Sequence, residues 1–287
     1  MKKIVLAVFT FFIMTAASMA VYAAGSENWT EKANLERVNK IGKALLEKNN
    51  LPSEVTFAVI ETDEVNAYAD GDNQICVYTG LLNFVNDDSE LAGVIAHEIG
   101  HIVNNHVAKQ SVVNAVVSTI IANLGLNSTV EKGAYAAHNL SMKKMSRTEE
   151  YEADITGVDL MTKAGYSPLA MVSVLYKIGG NYVDFIQDHP SGDKRTMYLY
   201  DYITYTYPDK LKPDYDTDSY RQFLNYAEPI VSKRNSSLSK IKAFNKKQEK
   251  LRTKRMKKLE KYKNSNNELG WQSSLMLLKA LSSQQQQ

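Results

Sequence analysis

The first regular pattern of apolar and polar positions is helical. Leu35, Val38, Ile41 and Leu45 form one stripe at helical spacing, closed by Asn49, Asn50, Leu51 and Pro52. The pattern then turns to β: Val55 to Ile60, Val65 to Ala69 and Gln74 to Tyr78 are short β-branched or aromatic runs separated by Asp, Glu and Gly, which predicts a small antiparallel sheet. Helical character returns with the continuous apolar run Leu91 to Ala96, as expected of a buried helix. Asp87 is placed to cap its first turn, with Glu90 reaching back as in a capping box. Val112 to Leu126 is apolar but broken by Asn114, Ser118, Thr119 and Asn123, too short and polar to span a membrane. It reads as a core helix, or alternatively as a flap hinged at Gly125 and Gly133. Tyr198, Tyr200 and Tyr202 alternate as in a strand, although a helix also fits. A helix, a sheet, a buried helix and further helices predict an α+β fold.

The buried helix carries the chemistry. His97-Glu98-Ile99-Gly100-His101 matches HExxH, in which histidines one turn apart share a helix face and bind one zinc ion while the glutamate between them activates a water. Histidines in so apolar a run need partners, which disfavours a purely structural reading. A catalytic zinc takes three protein ligands and a water. His106 lacks the glycine and the spacing of HExxHxxGxxH, and on a continuing helix it points away from the pair, which makes it a surface or core-edge residue. His138 has no acidic companion. The better candidates are Glu150 and Asp154, four apart on one helix face within Ser146 to Asp154, one to ligate and the other to orient a ligating histidine.

HEIGH, then SRTEEYEAD, then His189-Pro190-Ser-Gly-Asp-Lys-Arg195 follow the motifs HExxH, SRxxExxAD and HPxxxxR in order. In this the chain resembles the HtpX-like and CAAX-prenyl-protease-like gluzincin zinc metallopeptidases, from about Asn34 to about Tyr200. The resemblance implies a zincin-like fold, Glu150 as third zinc ligand, Asp154 and Arg195 as supporting residues, and His189 in the cleft beside the metal. With no second apolar run of spanning length, the resemblance is to the exported BepA-like type.

Lys2 and Lys3, an uncharged stretch from Ile4 to Ala17, and small residues up to Ala20 and Ala23 predict a signal peptide over 1–23, or an anchor if uncleaved. Export excludes nucleic acid as the expected partner. Cys76 is the single cysteine, so no intrachain disulfide forms, and its position is wrong for lipidation. The expected division is a metallopeptidase domain over 24–207, a tyrosine-containing extension over 208–239, and a basic helical tail over 240–287 ending in a disordered glutamine run. Between Lys240 and Lys263, twelve Lys or Arg face only Glu249 and Glu260. This segment therefore carries +10 and the remainder −8 of the net +2. It suits a solvated helix or a patch for an anionic membrane or cell-wall surface.

These features predict a zinc-dependent endopeptidase acting on exported, unfolded or misassembled proteins. Glu98 is the general base, His189 an oxyanion stabiliser or an occupant of the open zinc position, and His97, His101 and Glu150 the ligands. A zinc-retaining chaperone or binding module is the alternative, against which the intact Glu98 argues. Oligomeric state is left open by the sequence.

Overall fold

The computed structural model of the chain describes residues 30–51, 54–123, 145–181, 189, 192–211 and 215–264, with isolated positions 129, 132 and 274. The expected signal peptide, His138, Pro190, the glycines at 125 and 133 and the terminal glutamines lie outside them.

The predicted stripe forms helix α1 (30–49), with Val38, Ile41 and Leu45 fully packed and Leu35 left exposed at its start. Asn50 takes a left-handed φ of 53° and ends it. The Asn49 amide donates to the Leu45 and Leu160 carbonyls, tying this end of the helix to a later part of the chain.

The sheet holds β1 (Thr56–Ile60), β2 (Ala67–Ala69) and β3 (Gln74–Tyr78) in the order β1-β3-β2. It is mixed: β1 runs parallel to β3, and β2 antiparallel to it. The expectation of a purely antiparallel sheet is corrected on this point. β3, with Ile75, Cys76 and Val77 all buried, takes the centre, and the three-residue β2 is the return leg displaced to the far edge. Asp70 fixes the hairpin, its carboxylate accepting from the amides of Asp72 and Gln74 while Asn73 turns at φ 60°.

After β3 come α2 (Thr79–Phe84) and α3 (Asp88–Val103). Asp87 caps α3 as expected by accepting from the Glu90 amide, but the Glu90 carboxylate reaches Asn86 rather than the cap itself. Glu90 is buried and also accepts from Ser173 and Tyr215. α4 (His106–Asn123) follows at once and is packed on one side only: Val107, Ala108, Val112 and Ile121 are buried, while Val116 and Ile120 are about half exposed. Next come α5 (Arg147–Lys163), with a complete Ser146/Glu149 capping box, α6 (Pro168–Asn181) and α7 (Asp193–Thr206). The alternating tyrosines thus lie on a helix. There they pack inward, Tyr198 stacked on Tyr151 and Tyr200 edge-on to Phe223. A 3-10 turn (Pro208–Lys210) leads to α8 (Asp218–Asn235) and α9 (Leu238–Asn264).

One core joins these elements apart from α4, whose Ala108 and Val112 form a small cluster of their own, and Tyr215, Tyr220, Phe223 and Ala227 from beyond residue 207 belong to the main core. α3 lies at its centre against α5, α6 and the sheet. The α3/α5 crossing is close because it uses residues without bulk. A Cβ at Gly100 would stand 2.6 Å from the Ala153 carbonyl oxygen, and one at Gly157 would stand 3.0 Å from the backbone of Ala96 and His97. Among the described residues no helix is long and apolar enough to cross a membrane.

Candidate active site

The close crossing sets the HExxH face of α3 against the first turns of α5. His97 and His101 project from α3 and Glu150 from α5, and His189 arrives from the stretch between α6 and α7. All four are buried, and one ligand atom from each lies within 4.8 Å of every other. The Nε2 atoms of His97 and His101 stand 3.0 Å apart. Glu150 lies 3.4 Å from both Nε2 atoms, through Oε2 to His97 and Oε1 to His101. His189 Nδ1 is 3.3 Å from His97 Nε2 and 3.1 Å from Glu150 Oε1. His97, His101 and Glu150 are thus together as sequence reasoning placed them, and His189 stands among them rather than merely nearby.

Asp154 and Arg195 form the support behind this cluster. Arg195 donates from Nε and Nη2 to the two Asp154 oxygens at 2.7 Å each, and its Nη1 lies 2.6 Å from Glu150 Oε2. A guanidinium fork on a carboxylate is a rigid, directional pairing. The remaining Asp154 contact is 2.9 Å from Oδ1 to His97 Nδ1. An ionised carboxylate only accepts, so Nδ1 of His97 carries the proton and Nε2 faces the cluster.

Sequence reasoning missed the partner of His101. α3 ends at Asn104, and Asn105 takes a left-handed φ of 59°, so the chain does not continue straight and His106 folds back. His106 is buried, and its Nδ1 lies 3.0 Å from His101 Nδ1. The expectation that it points away from the pair is corrected. The signal was present in Asn104-Asn105, since asparagine is the residue after glycine that best tolerates this turn.

Charge fits a divalent cation. Three buried carboxylates, Glu98, Glu150 and Asp154, share the site with the guanidinium of Arg195. Burial opposes charge on His97, but Asp154 and Glu150 outweigh it and lift its pKa to about 9. Burial takes His101 the other way, to about 3. Burial also opposes ionisation of Glu150, which Arg195 and His189 nonetheless hold well below the usual carboxylate range. Glu98 is pushed upward by burial against the pull of His189 and His97. Its Oε1 is buried without a hydrogen-bond partner among the described residues. A carboxylate oxygen without a hydrogen bond, 3.6 Å from His189 Nε2 and beside ring nitrogens that face one another at 3.0 Å, is the environment that a cation and a polar ligand would complete. Two imidazoles and a carboxylate are a donor set suited to zinc.

The sheet meets the site at β2. Strand β3 is paired on both sides, and β2 is the edge strand here, packed beside α3, with the Ala69 backbone hydrogen-bonding Glu98.

Residues 32–203 match the model of peptidase family M48. The chain is 33% identical over 182 residues to the mitochondrial metalloendopeptidase OMA1 of Arabidopsis thaliana, a match covering 60% of this chain and 36% of that protein. It is 32% identical over 179 residues to metalloprotease YcaL of Escherichia coli, covering 58% of this chain and 69% of YcaL. It is 27% identical over 154 residues to the beta-barrel assembly-enhancing protease of the same organism, covering 49% of this chain and 32% of that protein. A HExxH helix crossed by an acidic helix, with residues 32–203 matching the family, leads to one conclusion: the chain belongs to peptidase family M48, whose metalloproteases use zinc.

Proposed function

We propose that this protein is a zinc-dependent endopeptidase that cleaves extended segments of exported, unfolded or misassembled proteins. The observation that carries the reading is Glu98. It is a buried carboxylate with a raised pKa, one residue from His97, and its Oε1 takes no hydrogen bond among the described residues and lies 3.6 Å from His189 Nε2. A protein that only binds its targets has no use for such a base.

His97, His101 and Glu150 would hold zinc, which when bound acidifies a water and polarises a carbonyl. Glu98 takes the proton of the attacking water and delivers it to the leaving amine, and burial, which raises its proton affinity above that of an ordinary carboxylate, favours both halves. Arg195 and Asp154 fix His97 and Glu150, so that the ligands need no rearrangement during the reaction. The outer edge of β2, adjoining Glu98, suits an extended substrate added as a further strand once the Asn66 and Glu98 side chains release the Ala67 and Ala69 amides. His189 stands where it crowds the ligand cluster, which favours a resting arrangement in which it takes the place a water needs.

The name of the beta-barrel assembly-enhancing relative and the basic, apolar and small-residue order of the first 23 positions support exported proteins as the substrate class. The exposed lysines of α9 suit contact with an anionic envelope surface.

The test is zinc analysis together with digestion of an unfolded protein by wild type and Glu98→Gln. The variant should keep its zinc and its fold while turnover falls by about 10² to 10⁴, the range associated with general-base catalysis. Undiminished cleavage by a verified preparation removes the mechanism.

A further inference from the structure

The two metal-binding histidines are held in different ways. His97 donates from Nδ1 directly to the Asp154 carboxylate. The corresponding atom of His101 meets the ring of His106 at 3.0 Å. His106 Nε2 in turn lies 3.4 Å from Glu152 Oε2, a long contact, on the helix that bears Glu150. Two ammonium groups from the basic helix α9 face the Glu152 carboxylate: Lys254 Nζ at 3.2 Å from Oε1 and Lys258 Nζ at 2.5 Å from Oε2. Direction follows from chemistry. An ionised Glu152 accepts, so His106 Nε2 donates, the neutral His106 ring presents Nδ1 as an acceptor, and His101 Nδ1 carries the donated proton. His101 Nε2 is thereby left with its lone pair toward the cluster.

The same helix grips the end of α3. Arg255 is buried and donates from Nη1 to Asn104 Oδ1 at 3.2 Å, while the Asn104 amide donates to the Gly100 carbonyl at 2.7 Å and to Thr156 Oγ1 at 2.8 Å. Asn104 begins the turn that swings His106 under His101. Gln248 and Leu259 are also buried, so α9 is seated against the protein along one face and exposes its charge on the other. The twelve cations of the segment are therefore not one solvated patch: three of them hold the turn and the carboxylate behind a metal ligand.

We infer that His106, backed by Glu152 and by Lys254, Arg255 and Lys258 of the C-terminal helix, is a positioning residue that fixes the tautomer and orientation of His101, so that α9 is part of the metal centre's support. This rests on the zinc reading above. Without His106, the buried His101 Nδ1 would lose its acceptor, and the ring would be free to rotate or to take the tautomer that blocks Nε2.

The test uses the full chain, with zinc affinity read by competition against a chelator and ligand geometry read from the visible absorption of the cobalt-substituted protein. His106→Ala should weaken zinc binding by about 10-fold to 100-fold, the usual effect of losing such a partner, and alter the cobalt spectrum. His106→Asn, which offers an acceptor near the same place, should recover most of both. Glu152→Gln and the surface pair Lys254→Ala with Lys258→Ala should shift the spectrum in the same direction by smaller amounts, with unfolding of the metal-free protein little changed. These lysine variants carry the test should His106→Ala fail to fold. Wild-type zinc affinity and an unaltered cobalt spectrum in folded His106→Ala, or in the lysine pair, would overturn the inference while leaving the zinc reading intact. Absence of zinc binding by the wild type would instead overturn the zinc reading.

Discussion

Replacing Gly100 with alanine isolates what the α3/α5 crossing does for the site. Two opposed effects on stability can be sized. Alanine is favoured over glycine inside a helix by about 0.8 to 1 kcal/mol. The new Cβ would lie 2.6 Å from the Ala153 carbonyl oxygen, 0.8 Å short of the 3.4 Å at which ordinary contact begins, and the obstruction is backbone that no rotamer change relieves. Overpacking of this kind costs about 1 to 3 kcal/mol. Net destabilisation of the metal-free protein is then about 0 to 2 kcal/mol, modest because the terms oppose. Metal binding has no such offset. Glu150 lies one turn before Ala153 on the same helix, so parting the helices by even half the overlap moves the third ligand beyond the roughly 0.2 Å that a metal site tolerates. Zinc affinity should fall at least about tenfold, equivalent to about 1.4 kcal/mol. Chelator competition measures the affinity and urea unfolding of the metal-free protein measures the stability. Gly180→Ala on α6, where nothing lies within 4 Å of the added atom, is the control. It should stabilise by about 0.5 to 1 kcal/mol and leave zinc untouched. If Gly100→Ala behaves like this control, the close crossing does not set the ligand geometry and the reasoning fails.

Three further outcomes are expected. His189→Ala should retain zinc through the other three ligands and raise turnover, because His189 crowds the cluster; a fall of about 10² would assign it to the oxyanion instead, and an unchanged rate would contradict both roles. Zinc affinity should depend on pH through His97, whose proton in the metal-free protein is held up to about pH 9 and must leave for the metal to bind: apparent affinity should rise about tenfold per pH unit up to that value and then level off. A flat profile in chelator competition from pH 7 to 9 would show that His97 is already neutral. Binding to anionic vesicles through the exposed face of α9 should weaken sharply between low and physiological salt, where the Debye length is about 8 Å; salt-independent binding in a sedimentation assay would exclude that face.

The legible part of this protein was whatever depends on one helix or one motif. Val38, Ile41 and Leu45 announced α1, and Asp87 announced the start of α3. That His97, Glu98, His101, Glu150 and Asp154 come together was readable because the motifs confine their type and spacing to facing turns of α3 and α5, and their roles as ligands, base and support belong to the proposed function. The misjudged features depend on where the chain goes after an element ends. The place of β3 at the centre of the sheet follows from burial on both faces, which alternation within a short run does not record. The inward turn of His106 depends on the left-handed Asn105, and the seating of α9 depends on Arg255 finding Asn104 across the fold. The tyrosines of α7 alternate only by coincidence with a strand; each packs against a different neighbour around the helix.

The site also has a history in the folding of the chain. His97 and His189 lie 92 positions apart, so the ligand cluster cannot exist until elements from well-separated stretches have docked. α3 by itself offers two imidazoles and a carboxylate base, but Glu150, Asp154 and Arg195 join only when α5 and α7 have closed on it. A partly folded molecule therefore has a weak grip on zinc and no oriented base. On the proposed reading, in which the protein cuts unfolded polypeptide, this order protects its own kind: a molecule still folding is a substrate in shape, but not yet a protease, and acquires its cutting centre as it ceases to resemble its targets.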